Sequence, residues 1–107
     1  MLVWSDFASA TLAATLEQAD ATATVDVGSN ADFPVIDGGQ YAIGVLEDIY
    51  GNKEVVHITG YTGENGEVIA IVRGQEGTPA RKFEIGSRIE VRATQQFLED
   101  FADGGAY

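Results

Sequence analysis

Cysteine is absent from this sequence of 107 residues, which excludes disulfides and thiolate metal sites. Basic residues are scarce. Six Lys and Arg stand against 17 Asp and Glu, for a formal net charge of -11. A surface that negative repels phosphate backbones, whose binding depends on cations displacing counterions, and it repels anionic membranes. Neither nucleic acid nor a membrane is therefore expected as a partner. The charge serves solubility, or else forms an acidic face for a basic partner or for cations. Long apolar runs are missing too, since no stretch approaches the roughly 20 residues needed to cross a bilayer. The opening "MLVWSDFASATLAATLEQAD" carries no Lys or Arg, and Ser5 and Asp6 interrupt its apolar residues. It does not read as a secretory signal, so synthesis in the cytoplasm without standard export is the expectation.

Histidine occurs once, as His57 in "VVHIT". A triad or histidine metal site needs partners that sequence does not place. With Val56 and Ile58 on the core face, His57 is expected to point to solvent. Among the acidic residues, Glu47, Asp48 and Glu54 flank the turn "YGN" and could meet across a hairpin as a glycosidase pair. With Asn52 they could also offer oxygen ligands to calcium, although the spacing is not that of an EF-hand loop. The bland alternative is a hairpin end charged for solubility. "RGQEGT" lacks the Gly-Lys-Ser/Thr ending of a phosphate loop. No catalytic, metal or cofactor-binding set emerges, and the protein is expected not to be an enzyme.

What is present suits one globular domain over residues 1–107. Apolar residues make up 45% and charged residues 21%, ordinary proportions for such a domain. "ASATLAATLEQAD" is ambiguous, because Ala, Leu and Glu favour helix while Thr favours strand. "TATVDV" alternates, with Ala23, Val25 and Val27 on one side. "QYAIGVLED" is strand-like, with Tyr41, Ile43 and Val45 on one face, Ala42 and Gly44 on the other, and Gly44 marking a bulge or close approach. "KEVVHITGYTG" and "VIAIVRG" follow across turn signals, completing a meander. "SRIEVRAT" turns Ile89 and Val91 inward. Thr94 is a candidate N-cap for a short amphipathic helix over 94–103, with Phe97, Leu98 and Phe101 on one face. The expected fold is mainly β, a small antiparallel β-sandwich or barrel with that short C-terminal helix. Trp4 and Phe7 in the first nine residues, and Phe97 and Phe101 in the helix, are candidate assembly anchors; packing within the chain is the alternative for the first pair.

The stretch "RGQEGTPARKFEIGSRIEVRAT" resembles a segment of structural proteins from tailed bacteriophages and prophages, in tail-fibre-like and baseplate-region proteins. Arg73, Gly74, Gln75, Glu76, Gly77, Thr78, Ala80, Arg81, Phe83, Gly86, Arg88, Glu90, Arg92 and Thr94 follow that pattern; Ser87 departs from it, where the family often has Asp. Weaker likeness extends from Phe7 to about Phe101, and it favours strand over helix for residues 10–17. The resemblance implies a non-enzymatic β-rich virion module. In the family this unit often opens a longer fibre protein, whereas this sequence stops after it, which implies bridging rather than receptor binding. The implied role is an adaptor or connector in the tail tip or baseplate, present in several copies and contacting other tail, baseplate or fibre proteins. Capsid decoration or head-fibre function is an alternative of the same origin. A carbohydrate-binding β domain using Tyr41, Tyr50 and Tyr61 is one from another class. Within the motif, Arg73, Gln75, Glu76 and Arg81 are expected to brace the loop through charge-assisted hydrogen bonds, with Gly74 and Gly77 supplying turn conformations.

Overall fold

The computed structural model describes residues 8–36 and 38–91. Trp4, Phe7, Phe97 and Phe101, and the expected helix over 94–103, lie outside the described residues. Six strands are formed: β1 (Ser9–Thr11), β2 (Thr22–Thr24), β3 (Ala42–Glu47), β4 (Lys53–Thr62), β5 (Val68–Gln75) and β6 (Arg88–Val91). All their pairings are antiparallel, in the order β1-β6-β3-β4-β5-β2. The expected meander is β3-β4-β5. The alternative of a sandwich is replaced by one sheet curled into a half-barrel.

The curl has local causes. The β4–β5 register shifts twice, between Val55 and His57 and between Ile58 and Gly60. Such irregularities bend a strand and increase its twist. Gly44, opposite on β3, stays in register with both neighbours. It marks a close approach rather than a bulge: a Cβ there would lie 3.0 Å from Ile58 Cδ1 and 3.3 Å from Val56 Cγ2. The curl also brings the two sheet edges together at one antiparallel bridge, Leu12 to Val25. Ala13 N donates to Thr24 O and Asp26 N to Thr11 O, both at 2.9 Å.

The inner face carries the core. Ala10, Ala23, Leu46, Ile58, Ile69 and Ile89 contribute from the six strands in turn, and Leu12, Leu16 and Phe83 fill in from the connections. Phe83, the aromatic within residues 73–94, is fully buried. It exchanges both backbone hydrogen bonds with Leu16, at 2.8 and 2.9 Å. Burying a side chain of this size contributes about 1.5–3 kcal/mol, so the motif is anchored by its middle. The ambiguous stretch 10–17 is not helical: β1 and the Leu12 bridge open it, a bend follows at Ala13 and Ala14, and the Leu16–Phe83 bridge lies near its end.

One alternation ends early. Ala23 and Val25 are buried as expected, but Val27 is 67% exposed. The ladder stops at the Val25 bridge, and turns at 27–32 lead away from it. On β3 both faces are buried: Ala42 and Leu46 face the core, while Ile43 and Val45 are buried outside the core cluster.

Candidate functional site

Alternation along β4 places Glu54 on the same face as Val56 and Ile58, and all three have no exposed surface. A carboxylate in that position is costly unless paired and hydrogen-bonded. Its partner is Arg73 on β5. Arg73 Nε donates to Glu54 Oε2 and Nη2 donates to Oε1, both at 2.8 Å. This is the two-pronged geometry that makes Arg–carboxylate pairs strong and directional.

The rest of each group is spoken for. Glu54 Oε2 also accepts from Gly74 N and Oε1 from Arg81 N, each at 2.9 Å. Arg73 Nη1 donates to Glu17 O at 2.6 Å and Asp20 O at 3.0 Å, and Nη2 donates to Arg81 O at 2.6 Å. All five guanidinium N–H groups therefore have acceptors. Burial pushes the Glu54 carboxyl up, but the Arg73 hydrogen bonds, the Gly74 and Arg81 N–H groups and the Arg73 charge outweigh it. The net effect holds Glu54 below its ordinary value of 4.5. A carboxylate so held keeps its charge at neutral pH and has no acceptor position turned toward a substrate. Its work is mechanical, tying β4 and β5 to the segments around 17–20 and 81.

The loop after Arg73 is shaped by a tight turn. Thr78 N donates to Gln75 O at 3.0 Å, and the two central residues, Glu76 and Gly77, have φ of 53° and 79°. Positive φ at both centres is the pattern of a type I′ turn. Thr78 Oγ1 donates to Gln75 O at 2.7 Å and accepts from Val55 N at 2.9 Å, fastening the loop to β4. Gln75 Nε2 donates to Arg73 O at 3.0 Å. Of the four residues expected to brace this loop, Arg73 supplies its side chain to the Glu54 clamp, and Gln75 bonds its carbonyl. Arg81 enters the clamp through its backbone N–H and C=O. Glu76 is exposed at the turn, and the carboxylate on Arg73 is that of Glu54.

Other candidate residues are dispersed. Asp48 turns its carboxylate inward on its own hairpin, accepting from Tyr50 N, Asn52 N and Asn52 Nδ2, all at 2.9 Å. Glu47 lies 4.0 Å from Arg88 Nη2. Glu47, Asp48 and Glu54 are thus engaged separately. Among the described residues no group of three or more His, Asp and Glu is placed to hold a metal ion. His57 is half-buried on the face of β4 opposite Glu54 and stacks on Tyr41, with centroids 4.4 Å apart. Tyr50 stands at the tip of the β3–β4 hairpin, 83% exposed. Tyr61 packs edge-on to Phe33, donates its hydroxyl to Pro34 O at 2.8 Å, and is pushed up to about 12 by burial. The three tyrosines do not form one platform.

Tyr61 and Phe33 instead line an open hollow of about 360 Å³, together with Asn30, Val35 and Asn65. Its floor is fixed by Asn30 Nδ2 donating to Gly66 O at 2.9 Å.

Sequence reasoning missed Glu54 as the partner of Arg73. Half the signal was present, because Glu54 shares its parity with Val56 and Ile58. Arg73 lies across two register shifts, which alternation does not predict. Compared with known proteins, the chain matches no family model and no curated protein.

Proposed function

We propose that this protein is a non-enzymatic structural component of a tailed-phage particle, an adaptor or connector in the tail tip or baseplate that attaches fibres or neighbouring tail proteins. The reading rests on the resemblance carried by residues 73–94. One observation supports it above others: the motif's first charged side chain, Arg73, is spent on holding the fold. Arg73, Gly74 and Arg81 converge on Glu54 with every donor and acceptor of the ion pair used. Such an arrangement suits a rigid module that presents its surface to neighbours. Several copies arranged about a rotation axis would suit a particle.

Peptide mass spectrometry on density-purified particles, with copy counting against the major capsid protein, tests this. A few to a few dozen copies per particle is the expected result. Hundreds of copies would move the protein to the capsid surface or tail tube. Its absence, with other tail proteins detected, would overturn the proposal.

A further inference from the structure

The exposed apolar residues gather mainly at opposite ends of the molecule. β4 runs from Lys53, beside the hairpin 48–52, to Thr62, beside the turn 63–67, a span of about 30 Å at the usual strand rise. At the first end Ile49 and Tyr50 are 85% and 83% exposed. They are not on a loose loop. The three hydrogen bonds into the Asp48 carboxylate, with Gly51 N donating to Asp48 O at 3.2 Å, fix the tip that carries them. At the other end lies the hollow of about 360 Å³ lined by Phe33, Val35 and Tyr61, with the amides of Asn30 and Asn65 among its lining. One end is an apolar knob and the other an aromatic cup.

Charge follows the same axis. Lys53, Arg81, Lys82 and Arg88 lie at or next to the knob end, where they stand beside Glu47 and Asp48 of the hairpin. Lys82 pairs with Glu84 and Arg88 with Glu90, so this end carries both signs. No Lys or Arg occurs in 26–36 or 61–67, the segments that build the cup, whereas Asp26, Asp32, Glu64 and Glu67 flank its lining. A second copy would therefore bring a mixed-charge end to an acidic one, with less repulsion than two acidic ends would meet, while seating an apolar tip in the hollow.

We infer that this chain associates head to tail with copies of itself, the Ile49–Tyr50 hairpin tip of one copy entering the Phe33–Val35–Tyr61 hollow of the next. The contact uses different surfaces on the two copies, so it propagates into a closed ring or an open filament. A fixed tip loses little conformational freedom on binding, which favours association. The inference deepens the assembly reading by naming the surfaces, and it stands or falls independently of which particle contains the protein.

Analytical ultracentrifugation over about a hundredfold range of concentration tests it, at physiological salt, where repulsion is screened beyond about 8 Å. The full chain is expected to grow in mass with concentration. An Ile49→Ser/Tyr50→Ser variant, with a blunted knob, and an Ala31→Glu/Val35→Glu variant, with a charged cup, are each expected to weaken association at least tenfold. All four substituted positions are exposed, so circular dichroism should show both variants folded. Mixed together, the two variants retain one intact knob and one intact cup between them, and a dimer and nothing larger is expected. A wild-type chain that stays monomeric would overturn the inference. So would oligomers that survive both variants, or variants that remain monomeric when mixed. Copy number in purified particles tests the assembly reading separately.

Discussion

At the scale of single residues, Glu54 is where charge and burial meet. Truncating one member of a buried ion pair costs about 3–5 kcal/mol because the other is left uncompensated. Glu54→Ala is expected to destabilise by that amount, a large share of the 5–15 kcal/mol typical of a domain, as measured by urea unfolding. Arg73→Lys should be far from conservative, since an ammonium cannot reproduce the two-pronged contact. Replacing both by apolar residues often restores stability to a simple buried pair. Here Glu54→Leu/Arg73→Met should remain destabilised, because the carbonyls of Glu17, Asp20 and Arg81 and the N–H groups of Gly74 and Arg81 lose their partners. Recovery to wild-type stability in the double variant would show that the backbone bonds matter little.

The same pair sets an acid limit. Glu54 is held below 4.5 in the folded protein, so the folded state binds its proton less readily than the unfolded chain does. Its contribution is present in full above the unfolded value and is lost as pH falls through the folded one. Unfolding free energy should decline below about pH 4.5, and Glu54→Gln should flatten that decline. Tyr61 works in the opposite direction. With its hydroxyl pushed up to about 12 by burial, its contribution is kept below pH 10 and lost between 10 and 12. Ultraviolet titration should show one tyrosine ionising late, and Tyr61→Phe should remove that step.

Among the elements, the turn after Arg73 carries backbone strain. Glu76 holds a φ of 53°, the one non-glycine residue at positive φ among those described. A residue with a larger side chain than glycine pays about 1–2 kcal/mol for this region, and Asn tolerates it better. Glu76→Asn is expected to raise stability by up to about 1 kcal/mol, visible as a higher melting temperature. Gly77→Ala, at φ 79°, should lower it by about as much.

The strands themselves were largely legible in the sequence. Ile89 and Val91 turn inward on β6 because alternation there is uninterrupted, and Ala23 on β2 and Val25 at the bridge just after it do the same. Legibility failed where pairing stops or slips. Val27 continues the sequence pattern, but no strand lies opposite it. The Arg73–Glu54 contact needs the β4–β5 register, and that register changes twice. The turn glycines were visible as glycines; that Glu76 shares their backbone conformation was not, because its side chain does not advertise it.

For the whole molecule, the curled sheet compresses a strongly acidic chain around one core. A net charge of -11 opposes compaction through self-repulsion. Raising ionic strength shortens the screening length from about 30 Å at 0.01 M to about 8 Å at 0.15 M. The melting temperature should rise over that interval. No rise would mean that the Arg88–Glu90 and Lys82–Glu84 pairs, at 2.9 and 3.4 Å, already offset the repulsion locally.

The pairing of β1 with β6 has a consequence for synthesis on the ribosome. Ala10 is opposite Ile89, and Val91 N donates to Ala8 O at 2.9 Å. The first described strand emerges early and must wait for almost the last to find its place. β3, β4 and β5 can pair as soon as each is released, whereas β1 remains without its neighbour until residues beyond Arg88 have cleared the exit tunnel. A nascent chain stalled before that point holds a finished meander and an unfinished edge. Protection from protease at β1 should therefore appear last, although β1 is made first.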